Sequence, residues 1–307
     1  MKREIKRLVS VLITTAICAL MAAQSPGGVS SGLQVWLKAD AGTSTTTNGA
    51  NISSWSDQSG NGRNATMATS SKQPVYHSSV VNGLPAIYTN GGPRFLELDL
   101  SSIANGEFTI FAVTQRATSN IFNYFIGIYP GVSSNGNLSL GFRQSSQSNL
   151  TLPTGSSRGT ITGYAGANEP ATAMWTDYSS TATRRVTLTQ DGVEKQVTGS
   201  GGTITAQTGI GQIGRGSNTA GFNGYISEII VYNRVLTSTE RNQIQTYLAV
   251  KYGLAASSSV HLYYNEPGYN NDIFGLGRDL ATQGLNVTTS NSVSVDDIME
   301  VRNPSSL

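Results

Sequence analysis

The sequence predicts an all-β sandwich of two antiparallel sheets with one short helix near its end. Short strand-like runs recur and are separated by turn residues, with 34 glycines among 307 residues and only 12% charged residues. Segment 184–199 has the pattern of a β-hairpin. Segment 237–253 has the start and stop signals of a helix. Together these features are typical of a secreted all-β domain.

The predicted strands either alternate apolar and polar residues or are apolar on both faces. In segment 94–100, RFLELDL, every second residue is leucine, as in a half-buried strand. Segment 108–115, FTIFAVTQ, is apolar on both faces, as in a central strand. The other strand-like segments are 33–39, 124–129, 137–142, 209–215 and 225–232.

The hairpin and the helix carry the clearest local signals. Asp191 and Gly192 supply the two positive-φ positions of a type I′ turn. Thr237 and Glu240 have the spacing of a capping box, and Gly253 stands where a left-handed C-cap is expected. The apolar stripe between them consists of Ile244, Tyr247, Leu248 and Tyr252. We expect this helix to close one end of the β-core, because so short a helix needs a surface to pack on.

The first 24 residues have the layout of a secretory signal peptide. A basic start precedes an uncharged, mostly apolar run from Leu8 to Ala23, which is too short to span a bilayer comfortably. An uncleaved anchor is the alternative. Subtracting the four basic residues and one acidic residue of this segment from the totals of 20 and 18 leaves 16 and 17. A near-neutral mature chain gives no reason to expect a nucleic-acid partner, or membrane insertion after signal cleavage.

Cysteine usage is consistent with stability from the core alone. Cys18 is the only cysteine, so removal of the signal leaves none for disulfides. The two histidines, His77 and His261, lie near no nucleophile motif and are too few for a zinc site. We expect both to be loop or surface residues, with His77 following a strand.

Four segments carry a family resemblance. The chain over about residues 30–254 resembles the laminin G-like, concanavalin A-like jelly-roll domain of secreted bacterial surface proteins. The segments are GLQVWLKAD (32–40), ISSWSDQSGNGRNA (52–65), VTLTQDGV (186–193) and FNGYISEIIVYNRVLTSTERNQIQTYLAVKYG (222–253). The most specific positions are Gly224, Glu228, Tyr232, Arg234, Leu236 and Glu240. The resemblance implies two sheets of six or seven strands each, and a location outside a bacterial cell or on its surface.

The resemblance also implies a division of the chain. Residues 1–24 form the signal peptide, 25–256 the jelly-roll domain, and 257–307 a linker and the incomplete start of a second β-module. Within the last part, segment 270–301 with its GLGRD sequence is similar to the opening of such a module. We expect the chain to be a fragment of a larger exported protein or a shortened gene product.

Three functions follow from the resemblance. The main expectation is a secreted, non-catalytic recognition or adhesion module whose ligand is a glycan or an extracellular protein. One alternative is a glycoside hydrolase or polysaccharide lyase, and the other is a passive structural spacer. An enzyme needs a facing pair of carboxylates, whereas a glycan-binding module needs aromatic rings exposed beside polar groups.

The predicted ligand residues lie in two segments. Trp175, Asp177 and Tyr178 combine rings with a carboxylate in a predicted strand, and Arg215 and Asn218 in a later loop are placed in the same cleft. The alternative is that Trp175 is a core residue, since lone aromatic residues in strands usually pack inward.

The candidate catalytic carboxylates are Glu97 and Asp99. They share one strand face because side chains alternate along a strand. The glucanase relatives continue with a further glutamate, where this chain has Ser101 and Ser102. The pair is therefore predicted to be the solvent-facing side of a strand, and no catalytic residue is assigned.

One loop is a candidate calcium site. Asp57, Ser59 and Asn61 occupy the first, third and fifth positions of an EF-hand-type loop, and Gly62 the sixth. The twelfth position, where calcium needs a glutamate, is Ala68. The alternative is a tight turn packed over Trp55. No cofactor is predicted to be required, with calcium as the candidate metal.

Overall fold

The computed structural model describes most of the region predicted to be the sandwich. The described residues are 25–103, 107–118, 123–128, 138–142, 147–151, 159–162, 170–178, 184–190, 193–199, 210–217, 220–254, 278–279 and 284–285. The predicted signal peptide, Asn218, His261 and the Asp191-Gly192 turn lie outside them. None of the helices within the described ranges is long and apolar enough to cross a membrane.

Strands dominate the described chain, and we number them in order. They are β1 (Leu33–Lys38), β2 (Ser54–Trp55), β3 (Ala65–Thr66), β4 (Val75–Val81), β5 (Leu84–Asn90), β6 (Leu96–Asp99), β7 (Phe108–Arg116), β8 (Asn123–Ile128), β9 (Leu138–Phe142), β10 (Gln147–Thr151), β11 (Gly159–Thr162), β12 (Pro170–Tyr178), β13 (Arg184–Gln190), β14 (Val193–Gly199), β15 (Ile210–Ile213), β16 (Arg215–Ser217), β17 (Ala220–Gly221), β18 (Asn223–Tyr232), β19 (Arg278–Asp279) and β20 (Gly284–Leu285). The α-helix α1 spans Ser238–Tyr252, and short 3-10 helices span Pro26–Gly28, Ser70–Lys72 and Ser101–Ile103.

Two antiparallel sheets form the sandwich, as predicted. Sheet A has the order β14-β13-β12-β7-β18-β5-β4, with β1 also paired to β18. Sheet B has the order β11-β10-β9-β8-β15-β6-β3-β2. Within the described residues each sheet has eight strands rather than six or seven. Sheet B reaches this number because two-residue strands, β2 and β3, extend it beyond β6. The predicted hairpin is confirmed, since Gln190 pairs with Val193 across a two-residue loop.

Strand β18 is the central element of sheet A, and it changes partner along its length. One edge pairs with β7 throughout. The other edge pairs first with β5, over residues 223–226, and then with β1, over residues 228–232. The pairing register with β7 shifts between Ile226 and Glu228. Strands β18 and β7 lie so close together at Gly224 that only glycine fits, because a Cβ there would lie 2.4 Å from the backbone oxygen of Gln115.

Apolar residues pack on both faces of the middle of sheet A. Ile110, Ala112, Ile229 and Val231 belong to the core between the sheets. The alternate residues belong to a second cluster on the outer face of sheet A, which includes Trp36, Phe111, Val113, Ile230, Tyr232, Ile244, Leu248 and Tyr252. The two-sided apolar pattern of segment 108–115 is therefore explained by a second layer.

Helix α1 supplies that second layer. The capping box is present in full between Thr237 and Glu240, and Gly253 adopts the left-handed conformation with φ 61° and ψ 36°. The expectation that the helix closes one end of the core is wrong: it lies across the outer face of sheet A. The physical reason is that Phe111, Val113 and Ile230 offer an apolar surface there.

Glu228 joins the helix to the sheet. Its side chain is fully buried, and its two carboxylate oxygens accept four hydrogen bonds. Oε1 accepts from Trp36 Nε1 at 2.6 Å and from Tyr247 Oη at 2.9 Å. Oε2 accepts from Lys251 Nζ and from Tyr252 Oη, each at 2.8 Å. Every lone-pair direction of the carboxylate is thus satisfied, which is what burial of a charge requires.

The tyrosines in this cluster are held neutral. Burial, followed by the nearby Glu228 charge and its hydrogen bond, raises the pKa of Tyr247 and of Tyr252 far above the ordinary value. Both hydroxyls therefore stay protonated and donate to the carboxylate.

The start of the helix is fixed by a second ion pair. Arg234 donates Nη1 to Glu240 Oε2 at 2.9 Å and Nη2 to Oε1 at 2.6 Å, a bidentate arrangement. The hydrogen bond from Arg234 is the largest influence on the Glu240 carboxyl. It outweighs burial and, with Thr237, lowers the pKa of Glu240 from 4.5 to about 2.

Replacement of Glu228 by glutamine tests the buried cluster. The amide of Glu228→Gln keeps one acceptor oxygen but replaces the other with an NH2 group. The donors that face this NH2 group then have no acceptor. We expect a loss of unfolding free energy of about 3 kcal/mol, measured by urea denaturation. The control Glu97→Gln changes an exposed glutamate and should alter stability by less than about 0.5 kcal/mol. Equal midpoints for the two variants would contradict the assigned role.

Acid titration tests the Arg234–Glu240 pair. The folded-state pKa lies below the unfolded value, so this pair contributes its full stability above about pH 4.5 and loses it as the pH falls towards 2. We expect the stability advantage of the native chain over Glu240→Gln to shrink across that window, as measured by thermal melts. A difference that stays constant from pH 7 to pH 2 would disagree with the assignment.

Candidate ligand-binding face

Helix α1 and the apolar cluster beneath it occupy only part of the outer face of sheet A. Another part of that face carries a separate group of aromatic side chains. Three half-buried aromatic residues meet there: His77 on β4, Tyr88 on β5 and Tyr225 on β18. We call these three residues the tyrosine patch. Their neighbours Ile87 and Ile226 belong to the inner core, so alternation places Tyr88 and Tyr225 on the outer face.

Pairing register brings the three rings together. Tyr225 pairs directly with Tyr88, and their ring centroids are 5.0 Å apart with a 44° tilt. His77 stands edge-on to both rings, at 5.3 Å from Tyr225 and 5.9 Å from Tyr88. Such contacts stabilise the positions of the rings while leaving part of each exposed. The patch is therefore a preorganised aromatic surface.

Amide and hydroxyl groups border the patch. Tyr88 Oη donates to Asn223 Oδ1 at 3.0 Å, and Asn223 Nδ2 donates to Thr118 Oγ1 at 3.3 Å. Exposed Asn90 pairs with Asn223 across the strands. Burial lowers the pKa of His77, so its imidazole is neutral at neutral pH and can both donate and accept hydrogen bonds.

The sequence contains only part of the signal for this patch. The prediction that His77 follows a strand is wrong: His77 lies inside β4, because the strand continues to Val81. Tyr88 and Tyr225 each alternate with an inward isoleucine, which indicates their outward position. Their contact could not be inferred, because it depends on the pairing of β18 with β5, which are far apart in sequence.

The predicted ligand residues are placed as follows. Trp175, Asp177 and Tyr178 all belong to β12, and Trp175 and Asp177 pair with Ile110 and Phe108 of β7. Both of these β7 partners belong to the core between the sheets. Arg215 begins β16 and lies over the Phe95 ring at 5.0 Å. Asn218 lies outside the described residues.

Glu97 and Asp99 lie on the exposed face of β6, as predicted, while Leu96 and Leu98 are buried. Arg63 forms an ion pair with Asp99 at 2.5 Å, and Asp99 Oδ1 accepts from the Ser101 backbone at 2.8 Å. Partial burial would raise the pKa of Asp99, but the hydrogen bonds from Ser101 and the Arg63 charge lower it on balance. Asp99 is therefore ionised at neutral pH and unsuited to act as a general acid.

The Asp57 loop is built as a hydrogen-bonded turn. Asp57 Oδ1 accepts from the backbone amides of Trp36 and Ser59, each at 2.9 Å. Oδ2 accepts from Ser59 Oγ at 2.7 Å and from the Arg63 amide at 3.1 Å. Asn61 Nδ2 donates to the Leu33 carbonyl at 2.9 Å. The loop thus covers the free edge of β1, which supports the turn alternative over the calcium alternative.

Within the described ranges, no group of three or more His, Cys, Asp or Glu side chains is arranged to hold a metal ion. Calcium at Asp57, Ser59 and Asn61 remains a prediction.

Comparison with known families supports the resemblance. Residues 90–240 match the family model described as "Concanavalin A-like lectin/glucanases superfamily". The two antiparallel sheets and the helix near the end of the described chain agree with the fold that this family description names. Residues 240–305 match "Domain of unknown function (DUF8202)". No curated protein matches the chain.

Several solved structures are similar to this chain at low sequence identity. Trypanosoma rangeli sialidase is 20% identical with a TM-score of 0.48, over 71% of this chain and 33% of the sialidase. Domain 4 of AbnA, a GH43 extracellular arabinanase from Geobacillus stearothermophilus, in complex with arabinotriose, is 14% identical with a TM-score of 0.49, over 70% of this chain and 97% of that domain. The Ruminococcus gnavus IT-sialidase CBM40 bound to α2,3 sialyllactose is 16% identical with a TM-score of 0.41, over 50% and 92%. The chain thus spans about a third of the sialidases it matches.

A calcium titration tests the Asp57 loop. Because four donors already occupy the Asp57 oxygens, we expect calcium added to metal-depleted protein to leave the thermal midpoint unchanged. Asp57→Ala should lower the midpoint with or without calcium, since it leaves the Trp36 and Arg63 amides without their partner. A calcium-dependent rise that Asp57→Ala abolishes would establish the metal site instead.

Proposed function

We propose that residues 25–254 form an exported, non-catalytic recognition module that binds a glycan through the tyrosine patch. The observation that carries this proposal is the cluster of three half-exposed rings, 5.0 to 5.9 Å apart, bordered by amide groups. Aromatic faces stack on the apolar faces of sugar rings, and amides and hydroxyls bind the sugar hydroxyl groups.

The position of the patch supports this proposal. It lies on the regular strands β4, β5 and β18 and not on a loop, so its rings need little ordering when a ligand binds. The family description joins lectins with glucanases, so the fold alone is compatible with binding and with hydrolysis.

The described carboxylates favour binding over hydrolysis. Asp99 is committed to Arg63 and Ser101, and Glu228 is buried beneath α1 with four donors. Asp99 is held ionised and Glu228 is inaccessible to solvent and so to a sugar, so neither can act as the acid of a glycosidase pair. Glu97 is the other exposed carboxylate of β6, and release of reducing sugar from polysaccharides by the native chain and by Glu97→Gln tests the enzyme alternative.

The residues predicted from the sequence form a second proposed ligand surface. Trp175, Asp177 and Tyr178 on β12, with Arg215 and Asn218, are assigned to it. Trp175→Ala in the same binding assay separates the two surfaces: a loss of binding confined to Trp175→Ala would favour β12, and a loss confined to patch variants would favour β5 and β18.

Patch variants on a glycan array test the proposed function. Tyr225→Ala removes one ring face, and we expect at least about a tenfold loss of affinity for any glycan that the native chain binds. Ile210→Ala is the matched control, because Ile210 is an apolar residue, 56% exposed, on sheet B. Circular dichroism should show that both variants are folded. Binding by the native chain that Tyr225→Ala and Tyr88→Ala leave unchanged would rule out the patch, and no binding at all would favour a spacer.

A further inference from the structure

Under the end of helix α1, the Lys251 amine contacts two carboxylates at once, those of Asp40 and Glu228. Lys251 Nζ lies 3.2 Å from Asp40 Oδ1 and 3.1 Å from Asp40 Oδ2. The same nitrogen lies 2.8 Å from Glu228 Oε2. Because both Asp40 oxygens are nearly equidistant, the carboxyl carbon between them lies within about 3.5 Å of the nitrogen, the range of near-attack geometry.

The geometry points to an intramolecular amide bond between Lys251 Nζ and Asp40 Cγ, formed by the protein itself with Glu228 as proton carrier. Lysine amines are established nucleophiles in proteins, and a carboxylate in contact with the nitrogen can act as general base. This inference is independent of the proposed glycan-binding function.

The reaction balances without any co-reactant. Glu228 takes one proton from the Lys251 ammonium, and the freed lone pair forms the bond to Asp40 Cγ. Glu228 then passes that proton to one Asp40 oxygen. The nitrogen releases a second proton to the same oxygen, the C–O bond breaks, and water leaves. Glu228 returns to its starting state, so it is catalytic in this step.

The surroundings of the three groups favour this step. Glu228 is fully buried, the Lys251 side chain is 15% exposed and that of Asp40 is 33% exposed. The amine is thus largely removed from water, while the more exposed Asp40 side chain lets the released water molecule leave to solvent. Trp36, Tyr247 and Tyr252 hold the Glu228 carboxylate in place. Asp40 is positioned by the tight turn in which the Ala41 amide donates to the Lys38 carbonyl at 3.0 Å.

The bond would connect the beginning and the end of the domain in sequence. Asp40 follows the first strand and Lys251 lies in the last turn of α1, 211 residues later. A cross-link between them would hold the helix on sheet A and keep the first and last elements together when the chain is pulled or heated. Resistance of this kind suits a protein exposed outside the cell.

Intact-mass spectrometry of the full chain, under denaturing conditions, tests the inference. We expect the native protein to be one water molecule lighter than its sequence, and a protease digest to contain a branched peptide joining Asp40 to Lys251. The full sequence mass would overturn the inference, and so would a lighter protein without the branched peptide, because a dehydrated aspartate would then explain the mass.

Two variants separate the bond from the ion pair. Lys251→Arg keeps a cation beside Asp40 and Glu228 but replaces the nucleophilic amine with a guanidinium group. It should therefore show its full mass and a lower thermal midpoint than the native chain. Glu228→Gln should keep its full mass for longer after synthesis than the native chain does, as followed by mass spectrometry at increasing times after expression begins. Bond formation by Glu228→Gln at the native rate would remove Glu228 from the reaction. Asp40→Ala, which lacks the carboxyl carbon, should never form the branched peptide.

Discussion

A buried carboxylate on the central strand of sheet A must be matched by donors, and the arrangement around it follows from that constraint. Glu228 is inaccessible to solvent, and without partners its desolvation would oppose folding. One donor comes from β1 and three come from helix α1. Trp36 is 192 residues from Glu228 in sequence, so the requirement couples the beginning and the end of the domain. The helix can satisfy it only by lying across the outer face of sheet A.

This docking decides which part of the sheet remains open. Strand β18 pairs with β1 in its second half, where the helix lies, and with β5 in its first half. The register shift between Ile226 and Glu228 marks the boundary between the two halves. On one side apolar residues are covered by α1. On the other, Tyr88, Tyr225 and His77 form the patch to which we assign ligand binding. One strand thus carries both the buried carboxylate and a ring of the proposed site.

Local signals were sufficient for most of the elements. The capping box of Thr237 and Glu240 and the left-handed Gly253 could be predicted because they depend on neighbours within a few residues. The alternation in 94–100 correctly predicted the buried and exposed faces of β6. The apolar pattern of 108–115 on both faces correctly predicts a central strand. The same pattern also requires a further layer over the outer face, and in the structure the helix supplies it.

The site was less accessible to sequence reasoning because it depends on pairing between distant strands. Tyr88 and Tyr225 are adjacent only through the register of β5 and β18. The Asp57 loop has the ligand spacing of a calcium loop, yet its carboxylate accepts the Trp36 amide, a partner 21 residues away that no local motif reveals. Spacing along the chain predicts which oxygen atoms lie close together. It does not predict which donors from distant parts of the chain form hydrogen bonds with those oxygens.

The central claim, that Glu228 holds helix α1 on sheet A, is tested most directly by amide hydrogen exchange resolved to individual segments. In the native chain the amides of α1 should exchange as slowly as those of β18, because the helix leaves the sheet only when the domain unfolds. In Glu228→Gln the α1 amides should exchange faster while those of β6, in the other sheet, keep their native protection. Equal protection of α1 in both proteins would contradict the account.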